Sequence, residues 1–164
     1  MTRLILGILI LVAIPAILLS QVSVSGDNRA DNFDKSVYGL GFAGGTASGV
    51  GISFRDHFPS KVSLQFVFGI LKDNVNTFVS TGAELQYDLV RGNTTRFYFG
   101  PAFGYFYSGS GTNSFAAPTR YALGLGGEFN IRDALHFSVE GMFVFFSDGT
   151  IIPLPQASIH YYFY

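Results

Sequence analysis

His136, Ser138 and Glu140 stand at alternate positions of a His-Phe-Ser-Val-Glu segment, and together they name the parts of a hydrolase. A serine hydroxyl becomes a nucleophile when a histidine takes its proton and an acid orients that histidine. If the segment is a strand, alternate residues leave one face, roughly 7 Å apart at the backbone. Contact between His136 and Ser138 is then within reach, but spacing alone does not make it. The same pattern also suits a polar face turned into an interior, hydrogen-bonded to neighbouring strands. Nothing else in the chain competes. His57 lies in residues 56–60, Asp-His-Phe-Pro-Ser, which reads as a solvated turn without a second His or Cys for a metal. His160 is isolated and reads as an inward-facing hydrogen-bonding residue. Gly39, Gly41, Gly49, Gly51, Gly100, Gly104, Gly124 and Gly126 precede no helix, so no phosphate-binding loop is present. No catalytic, cofactor-binding or metal-binding residue is assigned.

The elements that must position these groups are strands, and residues 95–107, TRFYFGPAFGYFY, show why. The odd positions are Phe97, Phe99, Pro101, Phe103, Tyr105 and Tyr107. The even positions are Arg96, Tyr98, Gly100, Ala102, Gly104 and Phe106. A period of two is a β-strand. A soluble sheet would carry Lys, Glu and Thr on its wet face; here that place holds Gly and Ala. A continuous aromatic face suits lipid, and small residues suit a crowded interior.

Composition agrees. Charged residues are 13% of the 164, about half the soluble average, and aromatics are 16% with no Trp. A net charge of −1 gives no reason to expect nucleic acid. The absence of cysteine excludes disulfides, thiol catalysis and anchoring at a lipidated Cys. Arg3 precedes an apolar run over residues 4–19, followed by Ser20, Ser23 and Ser25, which has the shape of a secretory signal. Residues 1–25 are therefore expected to be a signal peptide, cut after Ser25 or Ser20, with an uncleaved helical anchor as the alternative. Residues 26–36 read as a flexible periplasmic lead-in, and residues 37–164 as the barrel domain.

Eight alternating segments make up that domain: 37–44, 48–55, 61–70, 78–90, 95–107, 119–130, 134–146 and 154–164. Arg91-Gly-Asn-Thr and Ile131-Arg-Asp read as tight turns, whereas residues 107–118 and 147–153 read as longer loops. An even strand number puts both termini on one side, with the tight turns periplasmic and the longer loops outside. The fold expected is all-β, an eight-stranded antiparallel up-and-down transmembrane β-barrel. Its interior is just wide enough for side chains to fill. The charges turned inward are Arg55, Arg96 and Arg120 against Glu84, Asp88, Glu128 and Glu140, expected to form one paired network.

On the signal, the eight segments, the GPAFGYFY strand and the aromatic C-terminus, residues 37–164 resemble the small outer-membrane β-barrel proteins, the OmpX-like and OmpA-transmembrane-domain-like group. One departure is the terminal Tyr164, where such chains end in Phe. Its parity partners His160, Ser158 and Gln156 are polar, and the apolar register runs through Phe163, Tyr161 and Ile159. Some small outer-membrane barrels are lipid A hydrolases with a His-x-Ser pair and a Glu, to which residues 136–140 are superficially similar. There the acid lies farther along the chain, and the asparagine-containing continuation after Ser138 is missing here. The resemblance implies a monomer whose partners are outer-membrane lipids and the outer-membrane assembly machinery. The expected role is structural or surface-interacting and non-enzymatic. The other readings are a lipid-modifying hydrolase using His136, Ser138 and Glu140, and a soluble secreted barrel holding a small apolar ligand.

Overall fold

A computed structural model describes residues 36–92, 94–132 and 134–163. The expected signal peptide, all but the last residue of the expected lead-in, and the terminal Tyr164 lie outside the described residues. Eight strands succeed one another: β1 Val37–Gly45, β2 Val50–His57, β3 Val62–Lys72, β4 Thr77–Arg91, β5 Thr95–Gly109, β6 Thr119–Arg132, β7 Leu135–Phe146 and β8 Ile151–Phe163. Each pairs antiparallel with the next, and β8 returns to β1, so the sheet closes as an up-and-down barrel. Strand number, order and closure are those expected from the alternation.

The facing is also as expected. Leu40, Phe42, Phe66, Phe68, Leu123, Leu125 and Phe143 are exposed, while Ser53, Arg55, Gln65, Glu84, Gln86 and Glu140 are buried. That excludes the soluble ligand-binding reading, which needs the Phe-rich face inside. Outward tyrosines gather toward the two ends: Tyr38, Tyr87 and Tyr161 toward one, Tyr105, Tyr107 and Tyr121 toward the other. Outward rings pair across strands, Tyr87 with Phe99 at 5.7 Å and Phe103 with Tyr121 at 5.5 Å. Along β8 every outward residue from Ile151 to Phe163 is apolar. The ten-residue span from Ile151 to Tyr161 is about 33 Å of strand. At a typical barrel tilt that is a band roughly 25 Å tall.

The two ends differ. The turn end carries the short connections after β2, β4 and β6, and the loop end carries residues 46–49, 73–76, 110–118 and 147–150. The loops are shorter than the sequence suggests. β5 runs on to Gly109, and β8 starts at Ile151 and takes in Pro153 and Pro155, which the sequence reads as loop and strand edge. The reason lies in direction. Tyr162 N donates to Ala134 O beside β7 at 2.8 Å, so even residues of β8 turn their N–H toward β7. Pro153 and Pro155 therefore turn their nitrogens to the other side, where β1 pairs with β8 only as far as Gly45↔Gln156. No ladder bond is lost there.

At the same end the β1–β2 connection folds inward. Ala47 and Ser48 are buried, and Gly49 makes the turn at φ +114°, a conformation that disfavours any side chain. Gly82 of β4 and Gly104 of β5 let the loop enter, because a Cβ at either would strike the carbonyl of Ser48 or Ala47. Ala47 then packs on Ala102, Ala122, Met142 and Val144. The lumen is thus apolar behind the loop end and polar from its middle to the turn end.

Candidate functional site

Arg55 of β2 stands at the centre of the polar half, with no exposed surface. It donates to Glu128 Oε2 through Nη1 and to Gln65 Oε1 through Nε at 2.8 Å. Its Nη2 reaches Ser158 Oγ at 3.2 Å, Ser138 Oγ at 3.3 Å and Glu140 Oε1 at 3.7 Å. Arg96 of β5 shares Glu128 Oε2 at 2.8 Å and also holds Asp88 Oδ1 at 2.8 Å, which Arg91 holds from the other side. Its guanidinium lies 4.3 Å from the centroid of the Tyr98 ring. One carboxylate, Glu128, therefore serves two buried cations. A buried charge is tolerated only with such pairing and with its remaining hydrogen bonds satisfied.

The expected network needs two corrections. Among the described residues Glu84 has no arginine at ion-pair distance; it accepts from Gln86 Nε2 at 2.7 Å and Gln156 Nε2 at 2.8 Å. Arg120 joins no acid among the described residues. It sits at the loop end, opposite Gly104 and Phe146. Glu128 is eight residues farther along β6, about 26 Å of strand, well outside pairing distance.

The hydrolase constellation does not assemble. His136 Nδ1 lies 2.9 Å from Glu128 Oε1, and Ser138 bonds Ser158 and Arg55. Glu140 takes the Tyr98 hydroxyl and the Gln156 amide. The three residues share a face as expected, yet each is engaged with other strands: His136 with neighbouring β6, and Ser138 and Glu140 with neighbouring β8 and, farther round the barrel, with Arg55 and Tyr98. An arginine at Ser138 would hold a negative oxygen, but among the described residues no base is joined to that serine. The gap lined by Ala43, Gly44, Ser48, Gln65, Glu140 and Gln156 is too small for a water molecule.

His57 is corrected from turn to strand. It is buried at the end of β2, with Nδ1 2.6 Å from Ser63 Oγ and Nε2 2.6 Å from Tyr162 Oη. Parity held the signal, since His57 follows Arg55 by two. His160 is lumen-facing as expected, 2.8 Å from Ser53 Oγ and 3.3 Å from Ser158 Oγ. The residues the sequence did not single out are the glutamines and tyrosines: Gln65, Gln86, Gln156, Tyr98 and Tyr162 complete the network. Among the described residues no group of three His, Cys, Asp or Glu could hold a metal. At the loop end the backbone N–H of Thr150, 2.9 Å from Asp148 Oδ1, holds that carboxyl below its ordinary range.

No family model matches the chain, and no curated protein matches it. Among solved structures it is similar to the Yersinia pestis outer membrane protein Ail, described as a backbone structure in a phospholipid bilayer nanodisc. The identity is 14% and the TM-score 0.44, over 79% of this chain and 99% of that one. The barrel's own geometry is what bears on function.

Proposed function

We propose that the chain is an integral barrel of the outer membrane, exported by the segment 1–25, with a structural or surface-interaction role and no enzymatic activity. The observation that carries this is the facing: a closed wall apolar outside over roughly 25 Å, with tyrosines toward both edges and ion pairs inside. In water such a surface would be far larger than the apolar patches soluble monomers tolerate. In lipid, closure of β8 on β1 from Phe163 to Gln156 pairs the strand edges over most of the band, as spanning strands require. The turn end would face the periplasm and the loop end the exterior. Outer-membrane lipids and the assembly machinery are its partners, it acts as a monomer, and no cofactor or nucleic acid is involved.

The test is lipid-facing labelling of single cysteines in the full chain reconstituted in vesicles. Leu125→Cys is expected to react with a bilayer-confined reagent and Ala102→Cys to be protected. Gly100 cannot serve as the inward control, because a Cβ there strikes the Leu85 carbonyl. Equal labelling at both positions, or a chain fully soluble without detergent, overturns the reading. For the non-enzymatic part, turnover of lipid A and phospholipid is expected to be absent and unchanged in Ser138→Ala. Activity in the parent that vanishes in the variant would promote the hydrolase.

A further inference from the structure

We propose that Arg120 and Thr46 form an oxyanion-binding site at the loop end of the lumen. The site accepts a carboxylate or phosphate that presents two oxygens side by side. Arg120 is 8% exposed, and its guanidinium carbon lies 4.0 Å from the Phe106 centroid, 5.0 Å from Phe146 and 5.5 Å from Phe115. Three rings strip water from it, yet no acid stands within ion-pair distance among the described residues. The other deeply buried arginines, Arg55 and Arg96, both hold carboxylates. A buried cation without a counter-charge is costly, and the usual remedy is a partner.

The remaining donors show where the partner goes. Nη1 is used, donating to Thr46 O at 3.2 Å. Nε is buried with no partner, and Nη2, which points the same way as Nε–H on the planar guanidinium, makes no hydrogen bond either. Those two N–H groups are the fork that takes two oxygens of one anion. Thr46 supplies a second, independent orphan: its Oγ1 is also buried and unpartnered, on the residue whose carbonyl receives Nη1. A buried unpartnered guanidinium nitrogen and a buried unpartnered hydroxyl thus belong to two residues already joined by one hydrogen bond. Arg96 Nε is unpartnered too, but its terminal nitrogens are committed to Asp88 and Glu128. The acids of the neighbouring loops are turned elsewhere: Asp73 bonds Asn74 N and Asp148 bonds Thr150 N. The ligand must come from solution or from a lipid headgroup at the rim.

The experiment follows the Arg120 Nε–H resonance in the full chain, refolded in dodecyl maltoside without phosphate. Inorganic phosphate and acetate are titrated separately, and micelles containing phosphatidic acid test a lipid-borne phosphate. A saturable shift of Arg120 Nε with Arg96 Nε unmoved is expected, and whichever additive produces it identifies the source. Arg120→Lys, a point charge without a fork, is expected to need at least about tenfold more anion, read from another loop-end resonance. Thr46→Val is expected to weaken binding severalfold while leaving the barrel's circular dichroism unchanged. No response to any of the three additives overturns the proposal. Equal binding by parent and Arg120→Lys also overturns it. Should the lysine variant fail to fold, the parent resonance and Thr46→Val still decide.

Discussion

Glu128→Gln is expected to destabilise the barrel by about 3–5 kcal/mol, the cost of leaving a buried ion without its partner. The amide keeps the size of the carboxylate but removes the charge that Arg55 and Arg96 share. Two buried guanidinium groups would then face each other without the carboxylate they share. By contrast, Glu84 accepts from two amides and has no arginine at ion-pair distance among the described residues, so Glu84→Gln is expected to cost much less. Urea unfolding of the refolded chain in micelles measures both. Adding Arg55→Met to Glu128→Gln should recover part of the loss, because the second change removes the stranded charge. Equal costs for Glu84→Gln and Glu128→Gln, or strictly additive costs in the double variant, would show that Glu128 does not bind the lumen together.

The second large effect is on the outer face and depends on depth. Leu125→Arg is expected to cost about 2–4 kcal/mol in a bilayer, whereas Phe163→Arg costs roughly 1 kcal/mol or less. Leu125 is 62% exposed and lies midway along β6 between Tyr121 and Phe129. Phe163 faces the same way but ends β8 at the turn end, paired opposite Tyr38 and with its ring against Tyr161. An arginine there can extend its charge to the headgroups; at Leu125 it cannot. The check is unfolding in lipid vesicles. Equal costs at the two positions, or none at either, would mean that the outward band is not seated in hydrocarbon as its height suggests.

The strands and their facing were legible because a side-chain period of two survives in any register. Phe97, Phe99 and Phe103 declare an apolar face whatever stands next to them. The partners were not legible. Arg55 and Glu128 are 73 residues apart and meet only because β2 and β6 face each other across a closed sheet. His136 and Ser138 suggested a pair for the opposite reason: they are close in sequence, while their hydrogen bonds run across to Glu128 and Ser158. His57 was misplaced because Asp-His-Phe-Pro-Ser imitates a turn, although the strand parity of Arg55 continues into it. Arg120 was legible as inward-facing but not as isolated, since isolation depends on how far along the barrel the acids lie.

The prolines near the start of β8 bear on how such a wall can finish itself. A sheet that closes last-to-first must at some moment hold out two bare edges, either of which could recruit a strand from another copy. Over Ile151–Pro155 that danger would outlast closure, because β1 stops short. With nitrogens at 153 and 155 that carry no hydrogen, the edge can accept but scarcely donate, and a foreign strand finds no ladder to climb. That stretch of the wall therefore adheres little, and crowded neighbours in one membrane can touch there without knitting into a continuous sheet.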